Sequence, residues 1–135
     1  MTDKELLTKK LALIETYVVE LKTLAQPDKI DDDIREERFV EHTLQLAIQA
    51  TIDVASHVVS DERLGEPRTN QELFDLLARA QWIPNELSRP LRSAAGLRNI
   101  LVHGYASVDK GIVRDVLANH LDDLLQFAAA IRRRL

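Results

Sequence analysis

The segment Leu97-Arg98-Asn99-Ile100-Leu101-Val102-His103-Gly104-Tyr105 gathers a permanent cation, an amide, an imidazole and a phenol around the short apolar run Ile100-Leu101-Val102. Arginine presents a planar, always-charged fork that suits a phosphate. Histidine gives or takes a proton near neutral pH. Together they suit phosphodiester transfer without a metal, one group moving a proton and the other offsetting charge on the phosphate. Spacing sets a geometric condition. Asn99 and His103 are four apart and share a helix face, whereas Arg98 and His103 are five apart, about 140° around an ideal helix. Either the arginine reaches round the helix or the helix end distorts. From spacing alone the segment reads first as an amphipathic helix end with its polar residues in water, and the chemistry of the side chains is what favours a site.

Other chemistry is sparse. The four histidines are His42, His57, His103 and His120, and none forms an HExxH pair or another recognisable metal spacing. There is no P-loop, dinucleotide fingerprint or GxSxG elbow. His42, His57 and His120 lie in ordinary helical stretches and read as surface or packing residues. The absence of cysteine excludes disulfides, thiol catalysis and thiolate metal sites. A net charge of −4 argues against wrapping nucleic acid by bulk positive charge, while leaving room for a local basic cleft. No stretch is apolar enough to span a membrane, and Met1-Thr2-Asp3-Lys4-Glu5 lacks the architecture of a signal peptide. A cytoplasmic protein is expected.

The elements that must position this segment are helical. Few glycines and prolines, with abundant Ala, Leu, Glu, Gln and Arg, favour long helices. Leu7, Leu11, Ile14, Val18, Leu21 and Ala25 form one stripe at helical spacing, with Thr2 and Glu5 as a capping box and Pro27 as the stop. The acidic run Asp31-Asp32-Asp33 suits the start of a second helix ending near Ser60. Its stripe Val40, Leu44, Ala47, Thr51, Val54, Val58 is widened by Ile48, Ile52 and Ala55, which implies burial against several neighbours. Gly65 and Pro67 mark a loop, and Thr69 or Asn70 caps a short helix carrying Leu73, Leu76 and Leu77. Pro84 suits the first position of a fourth element. Pro90 makes that element either one kinked helix or a turn followed by a helix to about His103, which Gly104 ends. Asp109 caps a last helix striped by Val113, Leu117, Leu121, Leu124, Ala128, Ile131 and Leu135. The expectation is an all-α, up-and-down bundle of about five helices.

Arg98, Asn99, His103 and Tyr105, taken together, resemble the RX4HXY motif of the HEPN superfamily, and more narrowly the HepT toxins paired with minimal nucleotidyltransferase (MNT) antitoxins. The position after the motif arginine is usually polar there, and Asn99 fits. The likeness extends to Leu46-Ala47-Ile48-Gln49-Ala50, to Ile52-Asp53-Val54-Ala55-Ser56-His57, to Leu73-Phe74-Asp75-Leu76-Leu77 leading into Ile83-Pro84, and to Val108-Asp109. It covers nearly the whole chain. It implies a single HEPN-like domain over residues 1–135 and a homodimer that brings two motifs to one cleft. It further implies a metal-independent endoribonuclease acting on RNA as the toxin of a toxin–antitoxin pair. Arg98 and His103 map to the catalytic pair, and Tyr105 to the tyrosine that the partner nucleotidyltransferase modifies with AMP. Asn99 is expected to orient the imidazole or contact the substrate, and the scheme needs no metal or organic cofactor. Pro90 is not a feature the resemblance anticipates. A reading of a different class stands beside this one. Some HEPN-like bundles are non-catalytic nucleotide-binding or docking modules for a nucleotidyltransferase, in which the same arginine, histidine and tyrosine hold a nucleotide.

Overall fold

Six α-helices joined by short connections are seen in the computed structural model, which describes residues 3–103 and 108–135. The first, α1, spans Lys4–Leu24 and starts where the Asp3 side chain accepts a hydrogen bond from the Leu6 N–H at 3.1 Å. Thr2, expected to cap it, lies outside the described residues. Leu7, Leu11, Ile14, Val18 and Leu21 are all buried, as their spacing requires. A 3₁₀ turn at Pro27–Lys29 then delivers Ile30 to the core.

Helix α2, Ile34–Asp61, is the centre of the bundle. Asp33 caps it by accepting from the Arg35 N–H at 2.9 Å. Its broad apolar face is buried from Val40 to Val59, with α1, α3, α4 and α6 packed around it. Thr51, fully inside, satisfies its hydroxyl on the Ala47 carbonyl at 2.9 Å. α2 and α3 (Asn70–Arg79) end alike. Arg63 and Gln81 take left-handed backbones, with φ of 53° and 63°, and the next N–H groups return to Val59 and Leu77 at 3.0 and 2.9 Å. These closures satisfy helix-end carbonyls and reverse the chain tightly, at a conformational cost of about 1 kcal/mol for each non-glycine residue. Thr69 caps α3 as expected, accepting from Glu72 at 3.3 Å. Phe74 of α3 meets Phe127 of the last helix edge-on, centroids 5.9 Å apart. Such a pair is worth about 0.5–1.5 kcal/mol beyond its burial.

Helix α4 runs Asn85–His103 straight through Pro90. The proline removes the N–H that Glu86 would accept, but Glu86 is exposed, so that end of the helix has water available. Leu87, Leu91, Ala95, Leu97 and Leu101 are buried and hold the helix to the core. The segment is therefore one helix, not a turn and a helix.

The expected last helix divides in two, α5 (Lys110–Asn119) and α6 (Leu121–Arg133). Asp109 caps α5, accepting from Gly111 and Ile112 at 2.8 and 3.4 Å. At His120 the backbone leaves the helical region (φ −125°, ψ 0°), and its ring bridges Asp115 at 3.3 Å and Asp123 at 2.9 Å. Val113 alone is buried in α5, so little packing resists the break, whereas α6 buries six residues. α6 lies along α1, tied to it by the ion pairs Arg132–Glu15 and Lys22–Asp122. Among the described residues no helix is long and apolar enough to cross a membrane.

Candidate active site

Arg98 is half-buried on α4 and turned toward α2. Its Nε donates to the Gln49 side-chain oxygen at 2.7 Å, and Nη1 donates to the Asn99 side-chain oxygen at 3.1 Å. Among the described residues no carboxylate stands within ion-pair distance of it. Among the described residues the guanidinium is thus held by neutral amides alone. That is the state in which an arginine best receives a phosphate.

His103 closes α4 and is exposed, with no hydrogen-bond partner among the described residues. One regular helix carries both residues, so Arg98 and His103 keep their separation around the axis, and one chain by itself does not set them side by side. Asn99, exposed one position after Arg98, gives its oxygen to the guanidinium. Tyr105 and Gly104 lie outside the described residues.

Opposite Arg98, α2 carries polar residues at four-residue steps: Glu37, Glu41, Gln45, Gln49 and Asp53, each half-buried. Reading the sequence by its apolar stripes passes over this seam, although its regular spacing on an otherwise apolar helix is a visible signal. Gln49 donates to Asp53 at 2.8 Å, and Lys10 of α1 reaches Asp53 at 3.5 Å. Beyond Gln45, the seam borders a hollow of about 750 Å³ beside Leu101 of α4, with Arg38 and His42 on its wall.

Glu41 in that hollow is held above the ordinary carboxylate range, first by burial, then by the charge and hydrogen bond of Glu37, with Lys110 pulling the other way. Its Oε2 is buried with no partner among the described residues. The folded chain therefore binds this proton more tightly than the unfolded chain does, and stability falls as pH rises from the ordinary value of 4.5 through the raised one. Glu41→Gln removes that ionisation. We expect its melting temperature at pH 7 to exceed that of the parent by on the order of a degree or two, the gain fading as pH drops to 4.5. Melts at the two pH values check this, and a lower melting temperature at pH 7 would refute it.

Among α2, α4, α5 and α6 lies an apolar groove of about 420 Å³ lined by Leu44, Pro90, Ala94, Leu97, Ile112 and Leu124. His120, Asp115 and Asp123 also line it. His42 lines the hollow, His57 is half-buried on α2, and neither approaches the Arg98 cluster through a hydrogen bond.

The family described as Ribonuclease HepT-like matches residues 10–131. The chain is 39% identical over 89 residues to an mRNA nuclease HepT of Shewanella oneidensis, spanning 66% of this chain and 67% of that protein. It is 35% identical over 103 residues to a tRNA nuclease HepT of Aphanizomenon flos-aquae, spanning 74% and 69%. Among solved structures, the tri-AMPylated Shewanella oneidensis HEPN toxin in complex with MNT antitoxin superposes with a TM-score of 0.87 at 31% identity, over 98% of this chain and 99% of that one.

Proposed function

The chain belongs to the Ribonuclease HepT-like family, and from that membership we propose that it is an RNA endonuclease, the toxin of a pair whose antitoxin is an MNT-type nucleotidyltransferase. The observation that carries this is Arg98, a guanidinium free of any carboxylate, on the same helix as an exposed His103, in a fold that superposes on an AMP-modified toxin. In the mechanism we propose, a ribose 2′-oxygen attacks the adjacent phosphorus as His103 takes its proton. The 5′-oxygen leaves with a proton supplied by water, and Arg98 offsets the charge that builds on the non-bridging oxygens. The products are a 2′,3′-cyclic phosphate and a 5′-hydroxyl end.

A homodimer completes the picture. Arg98 and His103 occupy different sides of one helix, and a two-fold axis near α4 brings a second motif to the same cleft. Exposed Ile100 and Ile112, 43% and 47% accessible, offer apolar surface for such an interface. With RNA as substrate and a nucleotidyltransferase as partner, the protein is proposed to work in the cytoplasm.

The test is to incubate the purified chain with RNA and map the ends, measuring its mass by light scattering at micromolar concentration. New 5′-hydroxyl ends and a mass about twice 15.3 kDa are expected. Intact RNA together with nucleotide binding would favour a docking module instead, and a monomeric mass would remove the shared cleft.

A further inference from the structure

We infer that Gln49 and Asp53 of α2 form a positioning relay for Arg98, fixing where its guanidinium points while leaving its charge uncancelled. The inference rests on the catalytic reading of Arg98 and adds to it two residues outside the motif.

Arginine has several rotatable bonds, and a lone exposed guanidinium samples many directions. Here its Nε is pinned at 2.7 Å by the Gln49 side-chain oxygen, from a residue 49 positions earlier in the chain. An amide can present either its oxygen or its nitrogen, and only the oxygen accepts from Nε–H. Asp53 decides this. Its Oδ1 takes the Gln49 Nε2–H at 2.8 Å, one helical turn along α2, so the amide oxygen is left facing Arg98. Lys10, 3.5 Å from the other carboxylate oxygen, balances the charge of Asp53 on the side away from the site.

The choice of an amide as the touching group has a chemical reason. A carboxylate at the place of Gln49 would also pin Nε, but as an ion pair it would neutralise the guanidinium and compete with an incoming phosphate. The relay keeps the negative charge of Asp53 one hydrogen bond back from the group that touches the guanidinium. Arg98 therefore meets substrate with its Nε already fixed, without reorganisation at the moment charge develops.

Both residues act through Arg98, so their signature is energetic coupling to it. Gln49→Ala and Asp53→Ala are expected to lower kcat for RNA cleavage by about 10- to 100-fold, with KM changed less, since misplacement of a positioned group acts mainly on the transition state. Asp53→Asn, whose side-chain oxygen still accepts from Gln49, should recover most of what Asp53→Ala loses. Gln49→Glu should weaken binding of inorganic phosphate and raise KM. Lysine has no Nε–H to pin, so in an Arg98→Lys background Gln49→Ala should change kcat by less than about twofold. Circular-dichroism melts on each variant establish that the bundle is folded.

Full activity of a folded Gln49→Ala chain, with Arg98→Ala inactive, would overturn the relay and leave the catalytic reading intact. Equal losses from Gln49→Ala in the parent and Arg98→Lys backgrounds would also overturn it. Unimpaired cleavage by Arg98→Ala would instead remove the catalytic reading itself. If Gln49→Ala fails to fold, the comparison of Asp53→Ala with Asp53→Asn decides, and identical kcat in those two refutes the relay.

Discussion

Replacing either Arg98 or His103 by alanine is expected to abolish RNA cleavage while the bundle stays folded. The two losses come from different steps. Without His103 the 2′-hydroxyl keeps its proton in the approach to phosphorus, and removal of a general acid–base group costs about 10²–10⁴-fold. Without Arg98 the charge gathering on the phosphate oxygens has no fixed partner, and loss of one such donor costs on the order of 10²–10³-fold. Neither side chain belongs to the buried apolar core: His103 is exposed and Arg98 half-buried. Melts of both variants should therefore stay close to the parent. Two controls separate the mechanism from the assignment. An RNA with 2′-deoxyribose at the cut site should be inert because the nucleophile is gone, and EDTA should leave the rate unchanged. A fully active His103→Ala chain rules out the assignment, whereas cleavage of the deoxy substrate rules out only the 2′-oxygen route.

Transfer of AMP to Tyr105 by the partner nucleotidyltransferase should silence the toxin without unfolding it. Tyr105 follows His103 by two residues, and its phenolic oxygen is a competent acceptor for a nucleotidyl group. The added phosphate brings negative charge and bulk beside the motif. It can pair with Arg98, taking the place of the scissile phosphate, and it repels the backbone of incoming RNA. The chain incubated with its partner and ATP should gain AMP on the peptide carrying Tyr105 and lose nuclease activity almost completely. Tyr105→Phe should cleave RNA and resist silencing. A Tyr105→Phe chain that AMP transfer still inactivates, or modification confined to another residue, excludes Tyr105 as the switch.

The helices that carry these residues were legible wherever a local rule decides. Leu7 to Leu21 and Val40 to Val58 are spaced for one face and are buried on it. Asp33, Thr69 and Asp109 cap because their short oxygens reach the next N–H groups. The break at His120 was not legible. Apolar spacing runs through it without a mark, and the contacts with Asp115 and Asp123 exist only once the turn is made. Pro90 was undecided because a sequence reveals the missing N–H but not that Glu86 faces water. At the site, residue type singled out Arg98 and His103, yet nothing local joins Arg98 to Gln49. Only the packing of α4 across α2 does that.

The pairing of α1 with α6 gives the molecule a sense of time. A ribosome makes α1 before α6, and Arg132 finds Glu15 only once α6 has been made. Every residue assigned to catalysis has been synthesised by the end of α4, but the helix that covers one flank of the α1 stripe has not. Until α6 arrives, that flank lacks its cover. A nascent or prematurely terminated chain thus carries the chemical groups of a nuclease without the closed bundle that holds them. For the RNA endonuclease proposed here, potency waits on the helix that closes the bundle.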